Sequence, residues 1–245
     1  MPFPSVEADA RFSFVDLDAG ELADPLRARN SALARALAAY APDLVIVDFF
    51  WAALAHVPLG GAEAWLLLRW HPTGWLGGAG RRLDRSAYRR VIAIEPIAAG
   101  DDRVEPIVSA NPEELVAADA ARERLGFGAG ERGVLLAHTG APGERERLGA
   151  LASEVGAGGR IVQVGLFDEG APFPLAPWLA GADVILGGGG YNLFWETRWL
   201  GLASRAHLVP FARGVDDQHA RLRACADHAM RANGADQLAA SIARG

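Results

Sequence analysis

The chain has 245 residues, room for one large domain or two lean ones at roughly 150 residues each. Lys plus Arg is 24, all of it arginine, against 30 Asp plus Glu, a net charge of −6; an acidic chain is a poor fit to a general nucleic-acid binder, whose affinity rests on neutralising phosphates. A 51% hydrophobic and 22% charged composition argues against disorder, and a lone cysteine, Cys225, excludes an internal disulfide and any multi-cysteine metal site.

No apolar stretch approaches the ~20 residues of a membrane span. The start, MPFPSVEADARF, lacks the basic region and apolar core of a secretory signal, so the expected location is the cytoplasm. In chain order, residues 11–16 (RFSFVD) read as a short strand. Leu22, Leu26, Leu33, Leu37 and Tyr40 recur at mostly helical spacing, predicting a helix over 21–40 that ends at Pro42-Asp43. The run 44–48 (LVIVD) suits a strand covered on both faces, as in parallel sheets. A strand over 64–70, an arginine-rich helix over 81–90 and a buried strand over 91–95 follow. Pro96, Gly100, Asp101, Asp102, Pro106 and Pro112 then break regular structure. A domain boundary is placed there, within 98–112, which gives lobes of 1–105 and 106–245.

The second half restarts the alternation. Helix 113–125 stops at Gly126; strand 133–138, helix 144–156, strand 160–165 and a short helix over 175–181 come next. Strand 183–186, helix 191–201, strand 206–210 and helices over 216–231 and 235–243 complete the chain. Strands alternating with helices imply βαβ units and a parallel sheet, so the fold class is α/β.

Two glycine-rich turns each follow a predicted strand and precede a predicted helix: His138-Thr139-Gly140-Ala141-Pro142-Gly143, and Gly187 to Gly190. Glycine lets backbone approach a ligand closely, and a helix N-terminus presents free N–H groups and a positive dipole end that suit a diphosphate. Either one, taken singly, is equally readable as a plain βα turn. Glu196, six residues after Gly190, is a carboxylate that can accept from ribose hydroxyls or be a solvated helix charge. Asp216-Asp217-Gln218 fit a helix cap, and they also fit recognition of sugar hydroxyls.

The combination is more specific than its parts. Ala182-Asp183-Val184-Ile185, Gly190-Tyr191-Asn192 with Glu196, Leu208-Val209-Pro210-Phe211 and Asp217-Gln218 resemble the C-terminal domain of GT-B glycosyltransferases. Within them the resemblance is to the bacterial N-acetylglucosaminyltransferases that complete lipid II, and to related predicted glycosyltransferases. It covers about residues 131–231. Before that, Ala41-Pro42-Asp43-Leu44-Val45-Ile46-Val47-Asp48 looks like the family's Pro-Asp strand, and Leu66 to His71 like the strand leading to the interdomain cleft.

The resemblance implies two Rossmann-like lobes, an acceptor-side lobe and a nucleotide-sugar-binding lobe; the expectation here is that the N-terminal one is shortened, or that the start of the open reading frame is wrong. It implies a nucleoside-diphosphate sugar as donor, most often a UDP-sugar, with an unknown acceptor, no cofactor and no mandatory metal. Thr139-Gly140 and Gly189-Gly190 would hold the diphosphate, and Asn192 would be a further donor-binding residue. Glu196 would bind the ribose, Asp217 and Gln218 would face the donor sugar, and Phe211 would lie near the base or sugar. The chain departs from the family pattern in lacking the glycine-rich opening turn with its His. Leu193 stands where a hydroxyl is usual, and Arg221 where an Asn is.

A general base must reach the acceptor hydroxyl within about 3 Å. His71, after a strand, is the candidate; His56 is a second, and His138 would line the donor pocket. No metal-type histidine spacing occurs. Trp51, Trp65, Trp70 and Trp75 read as core and turn residues or as an apolar acceptor surface. The arginines at 81, 82, 85, 89 and 90 read as a solvated face, or as a contact with anionic lipid at a membrane surface or with a pyrophosphate acceptor. Sugar transfer is the leading expectation. Nucleotide-sugar hydrolysis is the alternative, along with a truncated, non-catalytic homologue completed by a partner chain or by a second copy.

Overall fold

The computed structural model describes residues 15, 18–49, 54–71, 83–165, 170–214 and 216–244. Apart from Val15, which lies in no regular element, the strand expected at 11–16 falls outside them, as do Trp51, Trp75, Arg81 and Arg82. The chain divides into two compact units, Met1–Val104 and Glu105–Gly245.

In the first unit the single helix expected over 21–40 is three: α1 (Ala19–Ala23), α2 (Pro25–Ala28) and α3 (Ala32–Tyr40). The reason is local. A residue before proline is pushed out of the helical region, and Asp24 sits at φ −94°, ψ 118°, where its carboxylate caps α2. Asp18 and Ser31 cap α1 and α3 in the same way. Leu22, Ala28, Ala34 and Val57 form a small core beneath them.

Strands β1 (Leu44–Asp48), β2 (Glu63–Leu68), β3 (Arg90–Ala93) and the two-residue β4 (Asp102–Arg103) form a parallel sheet in chain order. β2 is buried over Ala64–Leu68, whereas β1 is the outermost strand among the described residues, with Ile46 39% exposed. The apolar run 44–48 is therefore not covered on both faces. The arginine-rich helix is also corrected: among the described residues only one 3-10 turn, Arg85–Ala87, is present, and Arg90 already belongs to β3. Arg85 pairs with Asp101 at 2.6 Å and Arg90 with Asp102 at 2.8 Å, while the Arg90 guanidinium lies 4.4 Å above the Trp65 ring. These two charges are spent within the unit.

In the second unit a 3-10 turn (Pro112–Glu114) and α4 (Ala118–Arg124) replace the single helix expected over 113–125. Gly126 ends α4 at φ 80°, a conformation open to glycine. The sheet holds β5 (Gly133–Ala137), β6 (Arg160–Val164), β7 (Val184–Gly188) and β8 (Ala206–Val209), all parallel, in the order β6-β5-β7-β8. α5 (Pro142–Val155) follows β5, α6 (Tyr191–Trp199) follows β7, and α7 (Gln218–Ala224) and α8 (Gly234–Ile242) follow β8. α7 ends well before the expected 231.

Alternation along the central strands builds two cores. Leu135 and Ile185 face Leu125, Phe127, Leu179 and Leu200. Val134, Leu136, Val184 and Leu186 face Leu148, Ala152 and Phe211. Both faces are covered, as a parallel sheet requires. The molecule is thus α/β, with two Rossmann-like units of four parallel strands each.

Residues 105–111 belong to the second unit. Glu105 N–H donates to Gln237 Oε1 at 2.7 Å, Ile107 N–H to the Tyr191 hydroxyl at 2.7 Å, and Val108 N–H to Asn233 Oδ1 at 3.3 Å. The strap lies across α6 and α8 and delivers Ser109 to Glu196.

Candidate functional site

The strand order places β6 and β7 on opposite sides of β5, so chain direction across the sheet reverses between β5 and β7. Ligands of open α/β sheets bind outside the carboxyl ends of strands at such a switch point. Both glycine turns sit there: the first follows β5, the second follows β7, and Ala137 pairs with Gly187.

The first turn is closed by its own side chains. Glu144, in the first turn of α5, accepts from the Ala141 N–H at 3.1 Å. The same oxygen lies 2.9 Å from His138 Nε2, and Arg213 forks onto both carboxylate oxygens, with Nη2 at 2.5 Å. The Arg213 guanidinium, with help from His138, holds the Glu144 carboxyl down to about 2 against its own burial. Gly140 lies directly on this cluster: a Cβ there would run into Glu144 Oε2 and His138 Nε2. The His138 ring also packs against Phe211, with centroids 5.2 Å apart.

The second turn is open at its helix end. Among the described residues no side-chain hydrogen bond caps α6 at Gly190. Gly189 N–H donates to the Val209 carbonyl at 2.9 Å, and the Gly189 carbonyl accepts from Arg221 Nη1 at 3.1 Å. Gly188 and Gly189 are buried, and a Cβ on Gly188 would sit 3.0 Å from His138 Cε1. The two turns are therefore neighbours, with His138 between them.

The other expected residues fall around these turns. Glu196, a turn further along α6, is half-buried and accepts from Ser109 Oγ at 2.6 Å. Burial pushes its carboxyl up, opposed by the Ser109 hydrogen bonds. Asn192 is exposed in the first turn of α6. Asp217 caps α7, accepting from Ala220 N–H at 2.9 Å. Gln218 is 4% exposed and its Oε1 accepts from the Phe211 N–H at 3.0 Å, so it ties the β8 exit to α7. Thr139 is exposed at the lip of the first turn. Leu193 packs against Gly187, which has no room for a side chain.

Asp183 lies at the opposite, amino ends of the strands. It accepts from Gly133 N–H at 2.7 Å and from Arg122 at 3.0 Å, which hold its carboxyl below the usual range. Its role is to fix the starts of β5 and β7. Cys225 is a buried small residue.

His71 is in the first unit, just past β2. Its ring stacks with Trp70 at 6.3 Å and with Phe49 at 6.4 Å. Asp48–Arg69 form an ion pair at 2.5 Å at the same strand ends, and the buried Glu95 carboxylate accepts from Trp70 N–H at 2.7 Å. Phe49 holds a left-handed backbone, φ 66°, unusual for an aromatic residue. His56 lies in the turn after residue 54, outside this group.

Four participants were missed from sequence: Ser109, Glu144, Arg213 and Arg221. Glu144 carried a signal, since it stands three residues after the helix-opening Ala141, where a carboxylate reaches back to the cap amide. Among the described residues no group of three or more His, Cys, Asp or Glu is arranged to hold a metal, and no helix is long and apolar enough to cross a membrane.

No protein-family model matches the chain, and no curated protein matches it significantly in sequence. Among solved structures it is similar to the sucrose-phosphate synthase from Thermosynechococcus elongatus, at 16% identity and a TM-score of 0.37. The match covers 70% of this chain and 56% of that one, so this chain matches little more than half the length of its neighbour.

Proposed function

We propose that the protein is a GT-B-type glycosyltransferase that takes its sugar from a nucleoside-diphosphate sugar, with UDP as the nucleotide, and that the second unit is its donor-binding lobe. The observation that carries this is the uncapped glycine turn at Gly189–Gly190, standing at the switch point of a parallel sheet. Backbone amides and the positive end of a helix without a side-chain cap meet there, where a departing diphosphate needs them.

In this reading the diphosphate rests on Gly189, Gly190 and Asn192. Thr139 and Gly140 form the facing wall, and Thr139 contributes its hydroxyl. Glu196, held by Ser109, takes the ribose hydroxyls. Phe211 lies beside the base or sugar, and the α7 start, Asp217-Gln218, borders the sugar. His71 is the candidate acceptor base of the first unit.

The test is thermal stabilisation by a panel of nucleotides and nucleotide-sugars. A ligand that binds only the native state contributes about 2.7 kcal/mol at a hundredfold excess over its Kd. The expected outcome is a rise in Tm with UDP or one UDP-sugar that is lost in Glu196→Ala. No rise with any nucleotide overturns the donor site. A rise with release of free sugar in the absence of an acceptor replaces transfer by hydrolysis.

A further inference from the structure

We infer that Arg221 is the positioning residue of the second glycine turn: from inside the unit it grips the Gly189 carbonyl and so aims the Gly190 N–H outward, at the diphosphate. The inference rests on the donor-site reading above and adds to it a residue that touches no ligand.

Arg221 is fully buried. A guanidinium taken out of water is costly unless it is paired and hydrogen-bonded. Here Nη2 donates to Asp216 Oδ1 at 2.5 Å, and Nη1 donates to the Gly189 carbonyl at 3.1 Å. The guanidinium carbon sits 5.8 Å over the Tyr191 ring. That ring is itself fixed, because its hydroxyl accepts from the Ile107 N–H at 2.7 Å.

The consequence follows from the peptide plane. In a trans peptide the carbonyl and the next N–H point to opposite sides. Gly189 O is fixed on the buried side, so Gly190 N–H faces the other. The preceding peptide is fixed as well, since Gly189 N–H donates to Val209 O at 2.9 Å. The turn cannot relax inward: a Cβ on Gly189 would fall 2.8 Å from Leu222 Cδ1, which shows how closely α7 backs it. Asp216 and Asp217 thereby divide their work. Asp217 caps α7, and Asp216 neutralises Arg221 so that a cation can sit behind the turn.

The test compares wild type with Arg221→Lys and Asp216→Asn. Lysine keeps a cation beside Asp216 but has no second nitrogen to span to Gly189. Dissociation constants are measured for UDP and for uridine, which lacks the diphosphate, and the Gly190 amide signal is followed in ligand-free ¹⁵N-labelled protein. The expected result is a tenfold or greater weakening for UDP, a change under twofold for uridine, and a displaced Gly190 signal. Equal weakening of both ligands, or none, with Gly190 in place, overturns the positioning role. Should wild type bind neither ligand, the donor site fails, and the Gly190 signal alone decides: unmoved in Arg221→Lys, it overturns the inference. Should Arg221→Lys not fold, Arg221→Gln gives the same comparison: it removes the guanidinium without leaving a buried cation, and the Asp216 it unpairs is partly exposed.

Discussion

The turn after β5 satisfies its own N-terminal amide with a carboxylate, whereas the turn after β7 has no side-chain cap among the described residues and is braced from behind by a cation. The two look alike in sequence, each a glycine-rich link from strand to helix, and they stand side by side at one end of the same sheet. What separates them is where their charged partners come from. Glu144 accepts from the Ala141 N–H at the start of its own helix. Arg221, fully buried, donates to the Gly189 carbonyl from inside the unit. Under the proposed function, the turn without a side-chain cap is the one that takes the ligand.

The sharpest way to break this contrast is Gly140→Ala. Its Cβ meets the Glu144–His138 pair, so the first turn has to open or the pair has to separate. Overpacking of this kind costs roughly 1–3 kcal/mol, read as a lower urea midpoint with an unchanged slope.

Acid separates the turns next. Glu144 has a folded value of about 2 against 4.5 unperturbed. A depressed carboxyl stabilises the fold above its unfolded value, and that contribution is lost as pH falls through the folded one. The stability gap between wild type and Glu144→Gln is therefore full above about pH 4.5 and closes as pH falls toward 2. Urea midpoints across that window check it, and a gap that does not narrow contradicts the pairing.

Gly149→Ala is the smallest change and has the opposite sign. It lies within α5, and an added Cβ meets nothing within 4 Å. Alanine in a helix interior gains about 1 kcal/mol over glycine, so the midpoint rises while the turn beside it is untouched.

Much of the frame was legible in the sequence. β1, β5 and β7 fall close to their apolar runs, and both glycine turns fall where strand meets helix. Local chemistry misled where two signals competed: leucine spacing over 21–40 promised one helix, but Asp24-Pro25 and Ser31 cut it into three. The site's wiring was not legible, because its partners are far apart in the chain. Arg213 reaches Glu144 across 69 positions, Ser109 reaches Glu196 across 87, and Arg221 reaches Gly189 across 32. Only the fold brings them together, and no periodicity records it. Arg221 is the clearest case. In sequence it looked like a loss, standing where an amide was expected; in the fold it is the most deeply buried charge in the candidate site.

The most direct measurement is a UDP titration of ¹⁵N-labelled protein, following the amide signals of both turns. Gly190 and Asn192 should shift in proportion to occupancy while Ala141, held by Glu144, stays in place. Movement of Ala141 with Gly190 unchanged, or no movement at either turn, would contradict the assignment of the open turn as the diphosphate site.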